Sequence, residues 1–158
     1  GGSAPKHVEQ FLKEGHLRWD SLGEFLALAE SLRFIAQKNN SKELEVITEA
    51  LDIANAGYLD NNKAPGRSAG EPDNKASHFF VAQYWADALA KQTKSPALAS
   101  KFAPVAKALK DNEAKIIQEL MAVEGKAQDI GGYYHPNDAK ADKAMRPSAT
   151  LNSIIDSI

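Results

Sequence analysis

Residues 16–25 read HLRWDSLGEF, and residues 26–37 continue LALAESLRFIAQ. Leu22, Phe25, Leu26, Ala29, Leu32 and Ala36 recur at intervals of three and four, which places them on one face of a helix. Ser21 and Glu24 stand at capping-box spacing, so the helix is expected from about Ser21 to Gln37. Arg18, Trp19 and Asp20 then fall at a helix N-terminus. Unpaired N–H groups and the positive end of the helix dipole favour an anion there. An arginine beside such an end suits a phosphate. The alternative is a surface arginine next to an ordinary cap.

Outward from this stretch the chain is mostly helical in pattern. Val8, Phe11 and Leu12 suggest a short helix over 7–14 that stops at Gly15, preceded by a Gly/Ser/Pro turn. Leu44, Ile47, Leu51, Ala54 and Tyr58 mark a second long helix, with Asn40 and Glu43 as candidate caps. Residues 77–92 are apolar almost all round, as in a helix buried between others. Ser95-Pro96 pairs a cap with a first-turn proline, and Pro104 is expected to kink or break the helix that follows. A stripe of Val105, Leu109, Ile116, Leu120 and Val123 ends at Gly125. Residues 129–136 read DIGGYYHP, which fits a short strand or an irregular loop. Pro147-Ser148 opens a last helix whose Leu151, Ile154, Ile155 and Ile158 form one apolar edge.

The fold class expected is therefore mainly α, a bundle-like segment with little or no β. The 158 residues, 43% hydrophobic and 25% charged, suit one globular unit with a real core. A net charge of −2 supplies no basic field for nucleic acid and no polybasic run for a membrane surface. The absence of cysteine excludes disulfides, thiolate catalysis and Cys-ligated zinc.

Recognisable catalytic patterns are missing. There is no HExxH, no Walker-type glycine loop and no GxSxG. His7, His16, His78 and His135 have no partners at metal-ligand spacing. Glu43 with Glu45, and Asp111 with Glu113, read as solvated faces. The longest polar interval, 60–76, reads DNNKAPGRSAGEPDNKA with Arg67 at its centre. An interval of that length is either a binding loop or a mobile surface loop.

Four blocks carry a resemblance. Gly2-Ser3-Ala4-Pro5-Lys6-His7 looks like the cofactor motif of decarboxylating isocitrate and isopropylmalate dehydrogenases, Gly-Ser/Thr-Ala-Pro-Lys-Tyr/His. HVEQFLKEGHLRWDSLGEFLALA (7–29), NNKAPGRSAGEPDNKASHF (61–79) and the pair IGGYYHP (130–136) and AMRPSATLN (144–152) resemble the monomeric-type NADP-dependent isocitrate dehydrogenases of bacteria. The similarity runs through essentially the whole chain. It implies a C-terminal segment of a longer cytoplasmic enzyme, belonging there to an α/β isocitrate/isopropylmalate dehydrogenase-like domain.

The resemblance also implies a set of NADP-binding residues. Gly2 and Ser3 would approach the cofactor through the backbone. His7, Arg18 and Arg67 would surround the 2′-phosphate, and Asp20 would be the carboxylate of the adenosine site. Lys6 is either a ligand or a structural turn residue. Ser3 stands where threonine is frequent and keeps the hydroxyl. A phosphate monoester carries about −1.5 to −2 charges near neutral pH, and two guanidinium forks with an imidazole supply matching donors. The implied partners are NADP, isocitrate and the upstream part of the same polypeptide, with neither nucleic acid nor membrane. Mg2+ or Mn2+ would be required, with ligands outside this segment. The isolated segment is expected to be inactive and open to self-association. The competing expectation is a non-enzymatic all-helical binding or scaffold module that docks a partner through its last helix.

Overall fold

The computed structural model describes residues 3–158. Among these residues there are eight α-helices and no strand: α1 Ser3–Glu14, α2 Leu22–Asn39, α3 Lys42–Asp60, α4 Asn74–Lys91, α5 Pro96–Asp111, α6 Glu113–Met121, α7 Asp138–Met145 and α8 Ala149–Ile155. The mainly α expectation holds. The chain divides into two compact units. One comprises the residues up to Asp20, Ala64–Ser77 and Asn112–Ser157; the other comprises Ser21–Lys63 and His78–Asp111, with Ile158.

The second unit is built on the α2–α3 hairpin. Ala29 and Ala54 are fully buried at its seam, and Phe25, Leu51, Tyr58 and Val81 complete the cluster. The alanines let the backbones approach, and the larger residues fill the space on either side. A second cluster joins Val46 and Ala50 of α3 to Ala88 and Leu89 of α4 and Leu98 of α5. Each fully buried Leu or Phe contributes on the order of 1.5–3 kcal/mol of transfer free energy. Two side-chain donors of this unit are used: Trp85 Nε1 donates to Ile47 O at 2.9 Å, and Asn55 Nδ2 donates to Phe25 O at 3.3 Å.

Local chemistry departs from the sequence expectations at three places. Ser21 precedes α2 with φ −87° and ψ 16° and makes no side-chain cap bond. Its ψ lies near the helical value rather than in the β region that a capping side chain needs. Between α2 and α3 the division of labour is also different. Asn40 closes α2 in the left-handed region at φ 50°, and Ser41 caps α3 by accepting from Leu44 N. Pro104 lies inside α5, which continues through it, so of the expected kink or break the break does not occur there. Burial of Leu98 on one side and Val105 and Leu109 on the other anchors both halves. The break comes instead at Asn112, between α5 and α6. Of the two readings of residues 129–136 the irregular loop holds, with Gly131 and Gly132 at φ 83° and 149°, where a strand cannot continue.

In the first unit, α1 begins at Ser3 and not at His7. Pro5 falls in its first turn, where its missing N–H has no helical acceptor to lose. Gly15 ends the helix at φ 65°. A Cβ there would lie 2.5 Å from Val123 O, so the left-handed turn and the close approach both require glycine. Two backbone bonds tie this end to the turn after α6, Gly125 N to Glu14 O at 2.7 Å and Gln128 N to Leu12 O at 2.8 Å.

α6 and α8 are clamped by Glu119. Its carboxylate accepts from Ser148 Oγ at 2.6 Å, from Thr150 Oγ1 at 2.8 Å and from Thr150 N at 3.1 Å. Ser148 also caps α8 by accepting from Leu151 N. The Ser148 hydroxyl, with help from Thr150 and Lys115, holds the Glu119 carboxyl below its ordinary value. A depressed carboxylate pKa contributes stability above the unfolded-state pKa, and that contribution disappears as pH falls through the folded value. Glu119→Gln is therefore expected to lower unfolding free energy at neutral pH by about 1–2 kcal/mol. The gap from the parent chain should close as denaturation is measured at progressively lower pH below about 4.

Candidate functional site

Ser3, His7, Arg18, Asp20 and Arg67, singled out from the sequence, belong to the first unit. Gly2 lies outside the described residues. Ser3 is the first residue of α1, and its carbonyl is 2.6 Å from His7 Nδ1. His7 is half-buried and meets the edge of Trp19 with ring centroids 5.4 Å apart. That contact brings the second turn of α1 to the segment carrying Arg18. Arg67 is exposed in the loop between α3 and α4, and its carbonyl accepts from Gln10 Nε2 at 2.9 Å. Gln10 lies one turn beyond His7 on α1. The segments bearing His7, Arg18 and Arg67 thus meet around one stretch of that helix. Asp20 is exposed at the end of the connection between α1 and α2.

Arg18 is not held by the mouth of a helix. It sits in the irregular connection ahead of Leu22, between two backbone-anchored neighbours. Leu17 N donates to Asp73 Oδ2 at 2.9 Å, and Leu17 O accepts from Asn74 N at 2.8 Å. Trp19 O accepts from Asn74 Nδ2 at 2.8 Å. The Arg67 loop is anchored in the same manner. Glu71 Oε2 accepts from Arg67 N at 2.9 Å and from Ser68 N at 3.0 Å, and Gly66 N donates to Pro72 O at 2.8 Å.

The four arginines divide into two kinds. Arg33 is paired with Asp52 at 2.8 Å, and Arg146 with Asp156 at 3.2 Å. Neither Arg18 nor Arg67 has an ion pair among the described residues, and Arg18 Nε is buried without a hydrogen-bond partner. A half-buried guanidinium without a counter-charge is unfavourable unless an anion completes it. The donor set at this stretch of α1 is suited to a phosphate.

Beneath these arginines lies a buried polar network. Lys75 Nζ is hydrogen-bonded to Asp73 Oδ2 and donates to Gly15 O at 3.0 Å. Both side chains are 1% exposed. Asp73 Oδ1 accepts from Lys75 N at 3.0 Å. His16 is fully buried, with Nδ1 3.1 Å from Glu124 Oε1 and Nε2 2.9 Å from Gly66 O. Both ring nitrogens therefore face oxygen atoms of the protein.

His16, Asp73 and Glu124 bring one ligand atom each within 4.8 Å of one another. They do not fit a divalent cation. The Lys75 ammonium already sits on Asp73, and both nitrogens of His16 face protein acceptors. The charge that a metal would supply is supplied by lysine.

Sequence reasoning had no hold on Gln10, His16, Asp73, Asn74, Lys75 and Glu124, because their partners are distant in the chain. The one local sign was the polar run Asp73-Asn74-Lys75 opening an otherwise apolar helix. Breaking a buried pair by removing one member is strongly destabilising. Lys75→Ala should lower unfolding free energy by about 3–5 kcal/mol, read by chemical denaturation. A change no larger than that of a surface lysine would contradict the account of the network.

Comparison with known proteins agrees with the resemblance read from the motifs. A family described as monomeric isocitrate dehydrogenase matches residues 1–156. The isocitrate dehydrogenase (NADP) of Azotobacter vinelandii is 56% identical over 155 residues, covering 98% of this chain and 21% of that protein. The isocitrate dehydrogenase (NADP) of Corynebacterium glutamicum is 52% identical and isocitrate dehydrogenase (NADP) 2 of Mycobacterium tuberculosis is 47% identical; each alignment covers all of this chain and 21% of the relative. The chain spans about a fifth of the length of the relatives it matches. With the match extending over nearly every residue, the chain belongs to the monomeric isocitrate dehydrogenase family.

Proposed function

We propose that this chain supplies the 2′-phosphate side of an NADP site in an isocitrate dehydrogenase. The observation that carries the reading is the separation of the arginines: among the described residues Arg33 and Arg146 are neutralised by carboxylates, whereas Arg18 and Arg67 are not. The names of the relatives support NADP as the cofactor. Arg18 and Arg67 bind the phosphate oxygens, with His7 as a third donor and Asp20 toward the adenosine. Ser3, and Gly2 ahead of it, approach the cofactor through the main chain. An acidic ribose ligand of the kind used for NAD would repel the added phosphate; paired guanidinium groups favour it.

The reaction of the whole enzyme is oxidation of isocitrate to 2-oxoglutarate and CO2, with hydride passing to NADP. Mg2+ or Mn2+ would stabilise the developing negative charge on the substrate there, from ligands outside this chain. The contribution of this chain is to bind and orient the cofactor and to discriminate between its two forms. By itself the segment should not turn over isocitrate. The exposure of Phe34, Ile53 and Leu59, at 63%, 61% and 54%, favours self-association of the segment on its own. A strictly monomeric species in ultracentrifugation at millimolar concentration would contradict that.

The deciding experiment uses the whole enzyme. A charge-assisted hydrogen bond is worth about 1.5–3 kcal/mol, or roughly 10- to 150-fold in affinity. Arg18→Ala and Arg67→Ala should each raise KM for NADP within roughly that range and change KM for NAD by no more than about threefold. Equal loss with both cofactors, or no loss, would remove the phosphate assignment.

A further inference from the structure

We propose that Glu124 is a positioning residue for cofactor discrimination, acting through the loop that presents Arg67. The inference rests on the assignment of Arg67 to the 2′-phosphate. Glu124 lies 57 residues beyond Arg67 in the chain and follows α6. Its side chain is 3% exposed.

One oxygen of Glu124 accepts from Gly70 N at 2.6 Å. The other meets His16 Nδ1 at 3.1 Å, and the opposite nitrogen of the same ring meets Gly66 O at 2.9 Å. A single buried carboxylate, directly and through one imidazole, therefore grips the loop on both flanks of Arg67. Both gripped positions are glycines, so they offer only main-chain atoms to hold. Gly70 adopts φ +96°, a conformation open to glycine. At Gly66 a Cβ would lie 2.4 Å from Glu71 Cβ. The missing side chain lets Glu71 fold under the loop and bind Arg67 N and Ser68 N. Gln10 holds the carbonyl of Arg67 from α1.

The geometry removes backbone freedom around Arg67, and no ion pair holds its guanidinium among the described residues. A flexible loop would have to be ordered at the moment of binding, at a loss of affinity for the phosphate. Glu124 lowers that loss without touching the cofactor. It should act on NADP and leave NAD, which lacks the phosphate, nearly unaffected.

The test is a double-mutant cycle in the whole enzyme with Glu124→Ala, Arg67→Ala and the pair, assayed with both cofactors. Backbone amide exchange at residues 66–70 is followed in parallel. Glu124→Ala is expected to raise KM for NADP roughly tenfold and KM for NAD less than about twofold, with faster exchange in the loop. In the Arg67→Ala background, Glu124→Ala should add little to KM for NADP, because the residue it positions is gone.

Glu124→Gln keeps the shape and one acceptor. It should fall between, with a rise in KM for NADP of roughly threefold, and it decides the matter if the alanine variant does not fold. Arg67→Ala selective for NADP, together with Glu124 variants that are silent or equally harmful to both cofactors, would overturn this inference and leave the phosphate assignment standing. An Arg67→Ala variant without selectivity would overturn both.

Discussion

The buried pair of Lys75 and Asp73 is the constraint on which the described site depends. Two opposite charges at 1% exposure are tolerable only if every remaining donor and acceptor is used. Here the lysine ammonium also reaches Gly15 O, and the carboxylate also takes Leu17 N and Lys75 N. Those bonds pin the end of α1, the connection after it and the start of α4 to one another. Asn74 adds two more, to Leu17 O and Trp19 O. Arg18 is placed because its neighbours are placed. The polar network thus functions as the frame of the first unit, where few large apolar groups are buried: Phe11, Ile116 and Leu120 are the principal ones.

How much of this was legible in the sequence differs by element. The α2–α3 hairpin and the buried α4 are plain from periodicity, since Phe25, Ala29, Leu51, Ala54 and Val81 fall where a three-to-four spacing requires. Boundary chemistry was less legible. Ser21 has the residue type of a cap but not the backbone conformation, whereas Ser41 has both. Pro104 disfavours a helix locally, yet the burial of Leu98, Val105 and Leu109 outweighs it. Tertiary packing there exceeds a loss of about 3 kcal/mol that a proline typically brings to a helix interior. Of the two readings of residues 129–136, a strand or an irregular loop, the loop is the one found around Tyr133. Two left-handed glycines precede it, and nothing among the described residues is available as a partner strand.

The site was half visible. Arg18 and Arg67 could be singled out because a motif carried them. That they are the two arginines without a carboxylate partner among the described residues is a structural fact that no motif contains. His16 illustrates the limit. As one of four histidines without a neighbour at metal-ligand spacing, it read as unremarkable, yet it is fully buried between Gly66 and Glu124, 50 and 108 residues away. Chain proximity cannot report a contact of that separation. Only the fold makes the ring a link between the loop and the turn after α6.

The bonds that shape the segment around Arg67 end on main-chain atoms, at the nitrogens of Gly66, Arg67, Ser68 and Gly70 and the carbonyls of Gly66 and Arg67. The side chain at position 67 is consequently a passenger on a scaffold that does not consult it. Over evolutionary time such a separation lets the head group presented to a ligand be exchanged while the architecture behind it stays fixed. On the proposed assignment of Arg67 to the 2′-phosphate, a lineage whose demand shifts from one dinucleotide to the other could follow by altering what the loop displays and leaving how the loop is built.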